Sequence, residues 1–581
     1  MMSILFLLAV TAQQVLARPR LPSRDAELST HVGDTQIQWS SDCDYLGFDS
    51  DVRFSCANFT VPLDYSDDQS SETLALTLTK VDAVNQPAKG SILFNPGGPG
   101  SGGADMNLNF GDEFRTILGG DFNLIGFDPR GTAHTLRFDC YNNSAVERQL
   151  LFPQQFLGNA SDTALGADFA SSRVIAAQCL ETNAEIGGLL GTTYVARDMA
   201  RIVDALGEDG LLRYWGFSYG TALGATFSLM FPEKVDKVIL DGNVNVQEYW
   251  SGDNIQEMMS LDGVVQGFYD GCASAPQNCE LAKLANTSEA ISSLVNNVLE
   301  SLRYSPVVVM SNDSSTTITY SSVKEHMFSS MYSPSRWRFQ ARLLSRLIQG
   351  NYTGYVDLIE QASGGEDDRA TPDAILGISC GDGAYRAESI LDLSEYKNTV
   401  VPTSKWGGLD FGLMNTISCA AWLMKAKEVY TGPWNAETKN PLLIIGNTYD
   451  PVTPLISAQG NSEVFNGSAL LQQNGYGVGS SKPMKISANL AQHCSLAQPS
   501  LCTAKIVREY FNTGTLPPPG TVCEVDVPLF SNQTWKQALA PLGINGTASN
   551  TTKRSVDDSA LLDAMLNLSE KFHHYSRGIT R

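Results

Sequence analysis

The sequence predicts an α/β fold, a mostly parallel sheet with helices on both faces and an inserted, mainly helical cap. Three observations carry this. Short apolar runs of the kind that form buried strands alternate with helical patterns over 91–241, as in a parallel sheet wound through right-handed crossovers. The runs end in turns rich in Gly, Pro and Asp. Between about 246 and 400 the alternation breaks into helix-like segments, and it resumes at 441.

The elements follow in order. Residues 1–17 hold an apolar run from Ile4 to Val10 and small residues before Ala17-Arg18, the pattern of a cleaved secretory signal. That run is shorter than the ~20 apolar residues a membrane span needs. Residues 18–42 are polar and aperiodic and read as a leader arm. The first part of the core spans 43–245. Phe59-Thr60-Val61-Pro62 and the alternating stretch 74–79 read as antiparallel edge strands with one buried face. The runs 91–94 and 122–127 read as fully buried parallel strands. A helix is expected over 194–206, a strand over 212–216, a helix over 219–231 ended by Pro232, and a strand over 237–241.

The cap, 246–400, carries helical patterns at 289–302, 337–349 and 355–361. Strand character at 441–446 and 483–486 places the second part of the core at 401–530. The stretch 531–581 is polar and rich in Asn-x-Ser/Thr, with a dibasic pair at Lys553-Arg554, and reads as a tail.

Composition narrows the class. Hydrophobic residues at 43% and charged residues at 18% fit a folded globular chain. A formal net charge of −22 repels phosphate backbones and anionic lipid surfaces, so neither nucleic acid nor membrane is an expected partner. Eleven cysteines and acceptor sites such as Asn58, Asn142, Asn159, Asn286, Asn312, Asn351, Asn466 and Asn532 suit a secreted glycoprotein with disulfides. An odd count leaves at least one thiol unpaired within the chain. Cys380 with Cys419, and Cys502 with Cys523, are candidate bridges, and Cys494 is either the leftover thiol or a staple to Cys502. No clustered Cys/His set points to zinc, and no cofactor is implied.

Gly216-Phe217-Ser218-Tyr219-Gly220 sits between an expected strand and an expected helix. A serine on such a sharp turn projects its hydroxyl, provided its neighbours are small. The hydroxyl needs a base, and the base needs a third group to hold its tautomer. Asp450 follows the strand at 441–446 within Asp450-Pro451-Val452-Thr453-Pro454. Of six histidines only His493 lies downstream of it within the core, which gives the order Ser218, Asp450, His493. Donors for an oxyanion are expected from the backbone N–H of Tyr219 and from the turn Asn95-Pro96-Gly97-Gly98-Pro99-Gly100, at Gly98.

Together with Gly126-Phe127-Asp128-Pro129-Arg130-Gly131, these motifs make the chain resemble the tripeptidyl aminopeptidase and proline iminopeptidase group of α/β-hydrolases, in its secreted tripeptidyl-aminopeptidase-like branch, from about 43 to 525. Two positions depart from that pattern, Thr221 and Gln492, where glycine is usual. The resemblance implies a secreted serine exopeptidase that releases short peptides or single residues from free amino termini, with cap carboxylates pairing the substrate ammonium. Glu257, Asp262 and Asp382 are the candidates. A carboxylic ester hydrolase would use the same three residues. Asp128 and Arg130 read as an ion pair supporting the oxyanion turn.

Overall fold

Seven parallel strands with two antiparallel ones at an edge form a sheet in the order β1-β2-β4-β3-β5-β6-β9-β10-β11. The structure is a computed structural model and describes residues 36–47, 52–141, 156–310, 315–362, 372–476, 493–527, 529–530 and 556–575. The strands are β1 Ser55–Pro62, β2 Thr73–Val81, β3 Ser91–Asn95, β4 Asn123–Phe127, β5 Leu212–Phe217, β6 Val235–Asp241, β9 Leu443–Tyr449, β10 Ala469–Tyr476 and β11 Val522–Glu524. A separate hairpin pairs β7 Val307–Met310 with β8 Ser315–Ile318. The strand read at 483–486 lies outside the described residues.

Alternation along β5 shows how the sheet is covered. Tyr214 packs into the core on one face, with Met199 and Ile202 of one helix and Leu223 of another. Trp215 and Phe217 pack into the core on the other face, with Phe110, Phe114 and Phe511. Both faces of a parallel sheet are buried, which is why its strands read as unbroken apolar runs. The first face takes α3 Thr192–Ala205 and α4 Tyr219–Met230, and the second takes α1 Gly103–Ile117. Helix α2, Ala164–Asn183, is tied by its Cys179 to Cys140.

Between β6 and β9 lies the helical insertion. It runs through α5 Val246–Ser251, α6 Leu261–Ser274, α7 Ser288–Tyr304, α8 Tyr320–Met331, α9 Trp337–Ile348, α10 Tyr352–Ala362, α11 Pro372–Ile375, α12 Ser394–Val400 and α13 Leu413–Ala420. Its own core gathers Phe268, Met327, Trp337 and Leu344. Helices continue to Ala420, past the boundary read at about 400, because Cys419 on α13 is bridged to Cys380 and cannot leave the insertion.

After β9 come α14 Leu455–Val464, α15 Leu501–Thr513 and α16 Val556–Tyr575. The last corrects the polar-tail reading for part of 531–581. Leu561, Met565 and Leu568 are buried in the same core as α1, so one face of α16 is apolar while Asp557 and Asp558 pair with Arg508 and Lys505 at its start. Five disulfides link Cys43–Cys56, Cys140–Cys179, Cys272–Cys279, Cys380–Cys419 and Cys502–Cys523, and Cys494 is the unpaired thiol. Among the described residues no helix is long and apolar enough to cross a membrane.

Candidate active site

Strand order decides where the site falls. β3 is flanked by β4 and β5, so the crossovers leaving it and reaching β5 diverge, and a crevice opens at the carboxyl ends of β3 and β5. Ser218 stands at the end of β5 with φ 56° and ψ −125°, a left-handed backbone for a residue with a Cβ. A Cβ on Gly216 would come within 2.4 Å of the Gly220 carbonyl, so the flanking glycines are what the turn requires.

His493 Nε2 lies 2.7 Å from Ser218 Oγ. On the other side of the ring, Nδ1 is 3.2 Å and 3.3 Å from the two carboxylate oxygens of Asp450 and 2.7 Å from Thr453 Oγ1. Asp450 is fully buried and accepts from the N–H groups of Val452 (3.2 Å) and Thr453 (2.8 Å). Asn447 Nδ2 donates to the His493 carbonyl at 3.0 Å. Asp241, at the end of β6, accepts from Ser495 N and Oγ at 2.8 and 2.6 Å and so holds the segment that follows the histidine. Burial pushes the Asp241 carboxyl up to about 6, partly offset by those bonds. A hydroxyl bonded to an imidazole whose other nitrogen faces a buried carboxylate can lose its proton to that ring as it attacks a carbonyl.

The Gly-rich turn after β3 packs against this elbow. Gly97 and Gly98 have φ +98° and +111°, and a Cβ on Gly97 would meet the Phe217 carbonyl at 2.5 Å and Ser218 Cβ at 2.8 Å. Asn95 Oδ1 accepts from Gly97 N at 2.9 Å and pins the turn. Gly98 and Tyr219 line the cavity that holds Ser218 and His493. Thr221, where glycine was the expected type, accepts from Val244 N at 2.9 Å and donates to the Ser218 carbonyl.

Asp128 and Arg130 do not pair, and the ion-pair reading is corrected. Asp128 Oδ1 accepts from Ala104 N at 3.1 Å, at the start of α1, and its other oxygen lies 3.1 Å from His134 Nδ1. Arg130, two residues on in a tight turn, points away from it. Its guanidinium is bidentate to Asp198 on α3 at 2.6 and 2.8 Å and sits over the rings of Tyr65 and Tyr194.

The cavity has a volume of about 300 Å³ and is roofed by the insertion. Of the three cap carboxylates named from the sequence, only Glu257 lines it. Burial pushes the Glu257 carboxyl up to about 7; a bond from Asn415 Nδ2 at 3.1 Å and the nearby His493 act against this, and the neighbouring Glu248 adds to it. Asp262 instead ties the turn at 404–406, accepting from Lys405 N and Trp406 N at 2.9 Å. Asp382 is buried beneath Gly191, accepting from Thr192 N at 3.1 Å and Tyr249 Oη at 2.7 Å, and burial pushes it up to about 7.

Several lining residues escaped the sequence reading, Glu248 and Tyr332 of the cap among them, and Thr453 was read only as part of the turn 450–454. Glu248 on α5 enters the cavity, and burial raises its carboxyl too. No local pattern marks it, since the folding of the cap alone brings it to Ser218. Thr453 did carry a signal, its place three residues after Asp450 in a carboxylate-capped turn. Among the described residues no group of three or more His, Cys, Asp or Glu side chains is arranged to hold a metal ion.

Residues 90–477 match the α/β hydrolase fold, and the chain belongs to that family. It is 25% identical over 477 residues to serine protease Hip1 of Mycobacterium tuberculosis, covering 81% of this chain and 87% of that one. It is 25% identical over 447 residues to tripeptidyl aminopeptidase of Streptomyces lividans, covering 73% and 77%. Carboxylesterase B of Mycobacterium tuberculosis is 26% identical over 505 residues, covering 84% and 90%. The chain is a serine hydrolase, and its likeness to tripeptidyl aminopeptidase agrees with the resemblance carried by the motifs.

Proposed function

We propose that this serine hydrolase is a secreted exopeptidase that releases short peptides or single residues from free amino termini through an acyl-enzyme on Ser218. One observation carries the reading. Glu257 and Glu248 line the cavity that also holds Ser218 and His493, and neither is in an ion pair among the described residues. Two adjacent carboxylates under a roof repel one another, and an ammonium between them relieves that repulsion and supplies the missing countercharge. Esters have no use for such a pair.

In this reading Ser218 Oγ attacks the scissile carbonyl as its proton passes to His493 Nε2, and Asp450 balances the imidazolium charge. The N–H groups of Tyr219 and Gly98 receive the oxyanion. The imidazolium gives its proton to the leaving amine, and a water activated by the same ring hydrolyses the acyl-enzyme. The roof admits chain ends and excludes long internal segments. The apolar start of the chain, the acceptor asparagines and five disulfides support a secretory route. Peptidases among the relatives support peptide substrates.

The likeness to carboxylesterase B favours a second reading, a carboxylic ester hydrolase using the same three residues. Kinetics on chromogenic peptides with free and acetylated amino termini, beside simple esters, separates the two. Acetylation is expected to cost roughly 2 kcal/mol or more of transition-state binding. Equal kcat/KM on free and acetylated peptides, or preference for the esters, hands the function to the second reading.

A further inference from the structure

Tyr332 follows the last turn of α8 and belongs to the insertion, yet its ring lies edge-on to the His493 imidazole with centroids 5.7 Å apart. It lines the cavity alongside Ser218 and Glu257. The ring is held firmly. Phe328, one turn earlier on α8, packs edge-on to it at 5.3 Å and stacks on Phe411 at 3.9 Å. Helix α8 is itself anchored, since Tyr320 Oη donates to Asp410 Oδ2 at 2.7 Å and Lys324 pairs with the same carboxylate.

The phenol of Tyr332, in contrast to its ring, is uncommitted: among the described residues it makes no hydrogen bond. Burial, with the nearby Glu257 and Asp450 carboxylates, raises its pKa far above the ordinary phenol range, so it keeps its proton. A protonated phenol in a closed cavity loses water's hydrogen bond when the cavity fills, and leaving it unmatched is costly. A substrate cut to release a short peptide, bound by its ammonium at Glu257 and its scissile carbonyl at Ser218, lays at least one peptide group between these points.

We propose that Tyr332 is a substrate-contacting residue of the catalytic centre, supplied by the cap, whose phenol donates a hydrogen bond to the carbonyl oxygen of the peptide group lying between the substrate's amino terminus and the scissile bond. This rests on the exopeptidase reading above and goes beyond it. The cap then takes a direct part in orienting the substrate in addition to roofing it. An ester of a small acid lacks that peptide group and has nothing to offer the phenol.

The test is Tyr332→Phe, which keeps the ring against His493 and removes only the hydroxyl. The quantity read is the ratio of kcat/KM on a free-amino tripeptide p-nitroanilide to kcat/KM on p-nitrophenyl acetate. The ratio is expected to fall roughly ten-fold, about the worth of one hydrogen bond in a closed site. A purely structural role for the tyrosine would lower both rates together and leave the ratio at its wild-type value, and that outcome overturns the proposal. The exopeptidase reading is judged separately, on the wild-type enzyme, by the free and acetylated substrates.

Discussion

Thr453 Oγ1 stands 2.7 Å from His493 Nδ1, closer than the nearer carboxylate oxygen of Asp450 at 3.2 Å. With Nε2 accepting from Ser218, Nδ1 carries the ring's proton and shares it between hydroxyl and carboxylate. Thr453→Val should lower kcat about ten-fold with little change in KM, and Thr453→Ser should restore most of it. A valine variant with wild-type kcat would remove the hydroxyl from any role. In the same assay Ser218→Ala or His493→Ala should stay folded and lose roughly 10³-fold or more, and Asp450→Asn should be severe.

In the proposed exopeptidase reading, Glu257 gives substrate binding its own pH dependence. Its carboxyl, raised to about 7, is largely neutral below that pH and charged above it. The ratio of kcat/KM for free-amino to acetylated peptide should therefore rise as pH climbs through about 7. It should fall again above roughly 8, where the substrate amine loses its proton. Taking the ratio cancels pH effects on the chemical steps that both substrates share. Glu257→Gln should flatten the rising limb, and an unchanged limb in that variant would show that another group binds the ammonium.

Stability should fall as pH rises. Burial holds Asp168, Asp382 and Glu257 near 7 and Asp241 near 6, all above the ordinary carboxylate range. The folded state thus binds more protons than the unfolded chain between roughly pH 4 and 7, and the stability these groups contribute is lost across that window. Asp64, depressed by Lys427 and Tyr194, loses its contribution only below the ordinary range, outside the window. Melting temperature should drop between pH 5 and 7.5 in a thermal scan. Asp168 has both carboxylate oxygens buried without a partner among the described residues, so Asp168→Asn should raise the melting temperature at pH 7.5 and reduce the slope.

The Arg130–Asp198 pair is buried on both sides, at 0% and 1% exposure. Asp198→Ala strands a guanidinium with no countercharge and should cost about 3–5 kcal/mol in denaturant unfolding. A loss below about 1 kcal/mol would mean that the carbonyls of Pro62 and Leu63 hold Arg130 unaided.

What was legible in the sequence was whatever one stretch of chain settles alone. The turn around Ser218 needs glycine at 216 and 220 because the backbone doubles onto itself, and that requirement is written locally. The strand over 212–216 and the helix over 219–231 were readable for the same reason. Long-range partners were not. Asp128 and Arg130 are neighbours in sequence, but the intervening turn sends their side chains apart, and the partner of Arg130 lies on α3. Glu248 reaches the cavity only through the packing of the cap. Strand β10 mixes Gln472, Gln473 and Asn474 with its leucines and shows no apolar run. In α16 the leucines recur at helical spacing among polar residues, so composition hid what periodicity would have revealed.

Helix α16 also sets an order of events for the newborn chain. Its apolar face closes over α1, a helix finished at Ile117, while α16 begins only at Val556. At synthesis rates of about 5–20 residues per second, α1 waits roughly 20 to 90 seconds with that face uncovered. Until the final segment emerges, the half-built sheet presents an adhesive flank to its surroundings. Shielding during translation is therefore a demand this topology makes on the cell, and truncations near the end of the chain should fail by clumping well before they fail by losing the cavity.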